Sequence, residues 1–414
     1  MHRQEAEDLT LTVNRAACLC LFAMVAVGLR AQGWPHLGGH SCDFSSPGGL
    51  PSVDWSNTPP ACVWRTPLTD KGYACPSVAD GTVFIVDHNG SNDLVRAFAL
   101  ADGRELWRFA YPDTAVPANG FARAAPTWDE GRLYTLSRLG HLHCLDARTG
   151  QMLWQKHFIR DFGGQRPNHS FCAPPRVRES RLLLCTGGTN GCVVALDKRT
   201  GTPLWRGGTS DAPGHAIPVL AHLGGRDTLL CFSASALLAL DPATGASFWR
   251  YPRPTLFGNN IAQPLLVGGD ILVSSGDGMG TARLRLDNGD PRPAWETKEF
   301  HTLFATPVAV GDLLLLSSNT RRQGLTCASL TTGKVHWINP RFDKYTTLLR
   351  IGGQVLALES AKGDLVLIAP DASRYREITR FKPLGKRSWT PPVLTDGLLV
   401  IRNESELACF RLIP

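Results

Sequence analysis

From Trp64 to Phe381 the chain returns to an aromatic residue after every 42 to 51 positions, at Trp64, Trp107, Trp154, Trp205, Trp249, Trp295, Trp337 and Phe381. A recurrence of this length means that one supersecondary unit is repeated and that each copy buries its apolar face against its neighbours. The best-kept copies run Leu145-Asp146-Ala147-Arg148-Thr149-Gly150 before Trp154, Leu196-Asp197-Lys198-Arg199-Thr200-Gly201 before Trp205, and Leu240-Asp241-Pro242-Ala243-Thr244-Gly245 before Trp249.

The interior of one copy selects the architecture. Between Arg123 and Gln155 the sequence reads as four short runs, Ala125 to Trp128, Leu133 to Leu136, His141 to Leu145 and Met152 to Gln155, parted by turn residues. None keeps helical spacing over ten residues, so each is a strand. Four strands per copy make a propeller blade. In the turn, Asp146 is placed to bond the backbone two residues on, and Gly150 supplies the left-handed conformation that a Cβ would penalise.

Eight aromatic anchors enclose seven complete units. The tail after Phe381 carries three further strand runs, Trp389 to Val393, Leu398 to Arg402 and Leu407 to Leu412, and lacks only the outermost one. An orphan outer strand, Cys62 to Thr66, stands at the other end of the repeats. Joining the two predicts an all-β, eight-bladed propeller over residues 61–414, its last blade closed by the N-terminal strand, with no sheet edge left open between first and last units.

The repeat Ala-Leu-Asp-x-x-Thr-Gly-x-x-x-Trp at Ala195 to Trp205 and Ala239 to Trp249 resembles that of the pyrroloquinoline-quinone (PQQ) type propellers, which are eight-bladed. The likeness runs from about residue 60 to the end. It drifts at Asp287-Asn288-Gly289-Asp290 and Leu330-Thr331-Thr332-Gly333, and at Phe381, where the Trp is lost. It implies either an outer-membrane assembly factor, an exported lipoprotein of this type, or a quinone-dependent alcohol dehydrogenase holding PQQ with calcium over the channel. The dehydrogenases carry two adjacent cysteines beneath the cofactor, and no two cysteines are adjacent here.

Ahead of the repeats, Arg15 is followed by an uncharged stretch, Ala16 to Leu29, and then Arg30-Ala31. Residues 1–31 are expected to be an export signal, too short for a comfortable membrane span. Glu5, Glu7 and Asp8 are unusual ahead of a signal, which points to a translation start near Val13. Neither Cys18 nor Cys20 follows a lipidation motif, so a soluble protein of the periplasm or cell envelope, monomeric and without a transmembrane helix once processed, is expected. Residues 32–60, with Trp34, Pro51, Trp55, Pro59 and Pro60, form a strap or a linker.

The net charge of +7 is spread along the chain, with Arg321-Arg322 and Lys386-Arg387 the densest pairs. Nucleic-acid binding needs a concentrated basic stripe, and none is expected. The 12 cysteines contain no C-x-x-C, and Cys144, Cys327 and Cys409 fill the small-residue position before the turn. His141-x-His143 shares a strand face but lacks a third ligand, so no metal site is assigned. Nucleophile elbows and phosphate loops are absent, and Gly276-Asp277-Gly278-Met279-Gly280 reads as a hairpin turn.

The residue three before the proline that enters each inner strand, with Leu348 in the proline's place in one unit, forms a ring at the channel mouth: Tyr73, Arg123, Phe171, His215, Ile261, Phe304, Tyr345 and Trp389. Such a ring frames a part-apolar site with Arg123 and His215 as polar anchors, or it plugs the funnel. Cys62 and Cys409 are expected to face each other across the closing strands and form a disulfide. The function that follows is a non-enzymatic exported scaffold binding a protein or envelope partner, without a cofactor. The alternatives are a PQQ-dependent oxidoreductase of alcohols or sugars and a carbohydrate-binding or carbohydrate-processing module.

Overall fold

In the computed structural model, residues 33–51, 53–114 and 120–412 are described. The expected export signal and translation start lie outside them. Among the described residues eight sheets follow one another along the chain; six are built wholly from consecutive strands, and a seventh adds the short strand Ser45–Ser46 to four consecutive ones. Blade 1 comprises Ser77–Ala79, Thr82–His88, Asn92–Ala99 and Glu105–Pro112, and blade 2 comprises Thr127–Asp129, Arg132–Leu136, His141–Asp146 and Met152–His157. Inner strands of blades 3 to 7 are Arg176–Arg178, Val219–Leu223, Leu265–Val267, Val308–Val310 and Thr347–Ile351. Blade 8 takes Val393–Thr395, Leu398–Arg402 and Glu406–Arg411 from the C-terminal end and Ala61–Pro67 from the N-terminal end. The ring is therefore closed as the sequence predicts. The expected strand at Trp389 starts only at Val393, because Trp389 to Pro392 belongs to the mouth loop.

The repeat motif is the seam between blades. Asp146 Oδ1 accepts from the backbone N–H of Arg148 and Thr149 and from the Thr149 hydroxyl, which folds the turn into a compact knob. The Trp of the preceding blade lies on that knob. Trp107 Nε1 donates to Ala147 O at 3.0 Å, Trp64 to Leu100 O at 2.8 Å and Trp295 to Leu330 O at 2.9 Å. Gly150, at φ +74°, sits so close beneath the indole that a Cβ there would come within 2.5 Å of Trp107. Asp, Gly and Trp recur together because a turn, a close approach and an indole must coincide at each junction. Where Thr-Gly is lost, Asn288 (φ 51°) and Gly289 (φ 90°) make a two-residue turn with Asp287 paired to Asp290.

One residue before each Trp the outer strand bulges. Glu105 pairs with Phe98 and Trp107 with Ala97, leaving Leu106 as the extra residue; Leu153 and Leu204 are extra in blades 2 and 3. In blade 8 the extra residue is Val63, so Cys62 pairs with Phe410 and Trp64 with Cys409. This corrects the expected disulfide: the one-residue insertion moves Cys62 out of register with Cys409, and both cysteines are free.

Residues 33–51 and 53–60 form an ordered strap. Trp34 exchanges backbone hydrogen bonds with Val78 of blade 1, and Pro35 O accepts from Trp128 N of blade 2. His36 accepts from Arg176 of blade 3, and Cys42 O accepts from the amide of Gln263 beside blade 5. Ser45–Ser46 then pairs parallel with Arg350 and Ile351 on the inner strand of blade 7. The strap thus crosses the channel axis before Trp55 N bonds the Thr379 hydroxyl and its indole meets Phe381 edge-on at 5.2 Å. Trp34, Phe44, Leu50 and Trp55 are buried, which explains why this loop-like composition is ordered.

Candidate functional site in the channel funnel

Inner strands begin at the mouth and end at the strap, so the channel is a funnel with a mouth and a floor. A cavity of about 480 Å³ occupies it, with Leu37 and Phe44 of the strap among its lining residues. Of the predicted ring, Tyr73, Arg123, His215, Ile261, Phe304, Tyr345 and Trp389 line this cavity. Phe171 does not. Its ring packs edge-on against Phe158 at 5.1 Å within a core cluster of blades 2 and 3, drawn there by the helix Phe158–Phe162 inserted between the two blades.

The wall is divided. Blades 6, 7, 8 and 1 contribute an aromatic group in which Trp389 is the hub, with centroids 4.5 Å from Tyr73, 5.1 Å from Tyr345 and 5.6 Å from Phe304. Phe304 and Tyr345 stack at 5.1 Å. Above them Arg387 lies 5.4 Å from the Trp389 ring and Lys344 lies 5.2 Å from that of Tyr345. The Tyr73 hydroxyl donates to Glu404 Oε1 at 2.7 Å; burial, then this carboxylate, raises the Tyr73 pKa.

Blades 2 to 5 supply the polar side, with Arg123, His169, His215, Asn259 and Gln263. The Arg123 guanidinium donates to the carbonyls of His169 and Gly120, which fixes its position. His215 is 6% exposed, and neither of its ring nitrogens has a hydrogen-bond partner. Burial lowers its pKa to about 4, and the nearby charges of His169 and Arg123 act in the same direction. Asn259 Oδ1, Gln263 Oε1 and Trp389 Nε1 are likewise buried and unbonded. These groups line the cavity with no partner from the protein, so their hydrogen-bonding capacity is open to its interior.

His169 and Asn259 were not anticipated. Each stands two residues before a ring position, Phe171 and Ile261, so extending the alignment by two residues would have found them. Phe257, 52% exposed at the mouth, and the strap residues on the floor carried no such mark. His141 and His143 lie outside the cavity: His143 is buried against Tyr111 at 4.4 Å, and burial lowers its pKa to about 4. Cys144, Cys327 and Cys409 are buried in the blades, as expected of small-residue positions.

The donor set does not suit PQQ with calcium. Calcium takes six to eight oxygens, carboxylates prominent among them, and among the described residues the only carboxylate lining the cavity is Asp277. Among the described residues no three His, Cys, Asp or Glu side chains are grouped to hold a metal ion. The two lining cysteines, Cys75 and Cys172, come from different blades.

A family model described as outer membrane protein assembly factor BamB matches residues 53–120 and 91–339. BamB from Burkholderia pseudomallei is 26% identical over 269 residues, 61% of this chain and 63% of that protein, so the alignment spans less than two thirds of the relative. A quinone alcohol dehydrogenase subunit from Komagataeibacter europaeus is 31% identical over 161 residues, only 35% of this chain and 21% of that protein. The crystal structure of BamB from Moraxella catarrhalis superposes with a TM-score of 0.61 at 18% identity, covering 85% of this chain and 97% of the other, a likeness of fold.

Proposed function

The chain belongs to the family of the outer membrane protein assembly factor BamB, and from that footing we propose that it is a non-enzymatic cell-envelope scaffold that docks a protein of the outer-membrane assembly machinery on its rim. The carrying observation is a row of apolar side chains at one repeat position. Leu106, Leu153 and Leu204, the bulge residues of blades 1, 2 and 3, are 41%, 44% and 48% exposed. A bulge turns its extra side chain away from the sheet's pairing order, and in three adjacent blades it leaves a leucine exposed on the outer strand. Exposed apolar rows of this kind mark protein contacts. Among the described residues no helix is long and apolar enough to cross a membrane.

Photo-crosslinking in intact cells tests this reading. A crosslinker at position 106, 153 or 204 should trap a subunit of the assembly machinery, and with the crosslinker at position 106 the pair Leu153→Glu and Leu204→Glu should reduce that product at least tenfold. Unchanged crosslinking in the double variant, together with normal outer-membrane protein levels in cells lacking the chain, overturns the proposal.

A further inference from the structure

The rim reading leaves the funnel without a role. Its cavity volume lies in the range of small-molecule pockets, and the aromatic wall favours a planar guest, because ring faces stack at little entropic cost. On the opposite side His215 is buried, unbonded and neutral near pH 7, so it presents one donor and one acceptor to whatever enters. Arg123 is the permanent cation that acts on it. Asp277, the lining carboxylate, acts instead on His301. Two more cations, Lys344 and Arg387, stand over the aromatic rings at the mouth, the latter 4.0 Å from Glu404. Leu256 and Phe257, 78% and 52% exposed, edge the same opening and supply apolar surface to a guest longer than the cavity.

We propose that the funnel is a binding site for a small aryl anion, its planar body against Tyr73, Phe304, Tyr345 and Trp389 and its anionic head between Arg123 and His215. The site is separate from the Leu106, Leu153 and Leu204 rim and does not depend on the scaffold reading. The strap makes it a blind pocket, since Leu37 and Phe44 form part of its lining at the far end.

The full chain is titrated at pH 7.5 with 1-anilinonaphthalene-8-sulfonate, an aryl anion that fluoresces when shielded from water, and with N-phenyl-1-naphthylamine, its neutral counterpart. The expected result is one saturable site for the anion and at least tenfold weaker binding of the neutral probe. Arg123→Met should remove that preference by weakening only the anion, whereas Trp389→Leu should weaken both. His215→Phe removes the donor and the acceptor at the polar end and should weaken the anion without lowering the melting temperature, so a folding defect cannot imitate the result. Crosslinking from position 153 should persist in Arg123→Met, which keeps failure here distinct from failure of the scaffold reading. Non-saturable emission, equal affinity for the two probes, or an unaltered anion affinity in Arg123→Met overturns the proposal.

Discussion

The seams between blades and the mouth of the channel are built from the same repeat yet obey opposite rules. At the seams the Trp64, Trp107 and Trp295 indoles each donate to a carbonyl of the next turn, although Trp205 Nε1 finds no partner, and the glycine beneath leaves no space. At the mouth Trp389 Nε1 is unbonded, His215 has no partner on either nitrogen, and a cavity remains. A repeat protein is stabilised between units, so the seams carry stability. The axis, where eight loops converge without needing to pair, is free to keep unsatisfied groups for a guest.

The largest effect should come from Trp64→Ala, because this 7% exposed indole joins the composite blade 8 to blade 1. A loss of about 3–5 kcal/mol is expected for a large buried aromatic, read from denaturant unfolding. A loss no greater than that of Trp389→Ala would erase the distinction between seam and mouth. Next is Gly150→Val, which sets a β-branched side chain at φ +74° with its Cβ 2.5 Å from Trp107. Overpacking and backbone strain together should cost about 3 kcal/mol, and the same unfolding experiment checks it.

A smaller effect, of opposite sign at neutral pH, is expected at the mouth. His215→Leu removes two unbonded polar atoms and should leave stability at pH 7.5 unchanged or about 1 kcal/mol higher. Its pH dependence sharpens the contrast. The folded pKa of about 4 lies below the ordinary 6.5, so the native state resists protonation; the contribution is complete above pH 6.5 and is lost as pH falls toward 4. The variant's stability should therefore fall less steeply across that window, by up to about 1.4 kcal/mol per pH unit. His36 and His143, lowered to about 3 and about 4, retain part of the slope. Identical slopes in variant and parent would show that His215 is not buried in neutral form.

The smallest effect concerns the closing strands. Cys62 is exposed and should react with an alkylating reagent in the native protein, whereas burial of Cys409 pushes its thiol to about 12 and should protect it until unfolding. Cys62→Ser should change stability by no more than about 0.5 kcal/mol. Mass mapping that finds the two cysteines joined would restore the expected register at this seam.

The seams were legible because their chemistry is local. Asp146, Gly150 and Trp154 lie within nine residues and recur, so both the turn and its period are visible in the chain. Most of the mouth ring was also legible, because a proline marks all but one of the inner strands and places Tyr73, Arg123, His215, Phe304 and Trp389 at one offset, with Leu348 standing in the proline's place after Tyr345. Phe171 obeys that offset and still leaves the ring, since the helix Phe158–Phe162 offers its side chain a buried apolar alternative. A one-residue bulge carries no composition of its own, and so the extra Val63, with the displacement of Cys62 from Cys409, was not.

Sequence alone thus determined the number of blades, the closure of the ring by both ends of the repeats and the Asp-Gly-Trp junctions, because each depends on residues close together or strictly periodic. Tertiary structure decided three things: that residues 33–51 and 53–60 cross the axis and floor the funnel, that the bulge leucines of three blades stay exposed, and that the mouth divides into an aromatic and a polar side. These outcomes depend on which residues meet across the ring after it closes, through contacts such as Cys42 with Gln263 or Phe44 with Arg350, which no local pattern encodes.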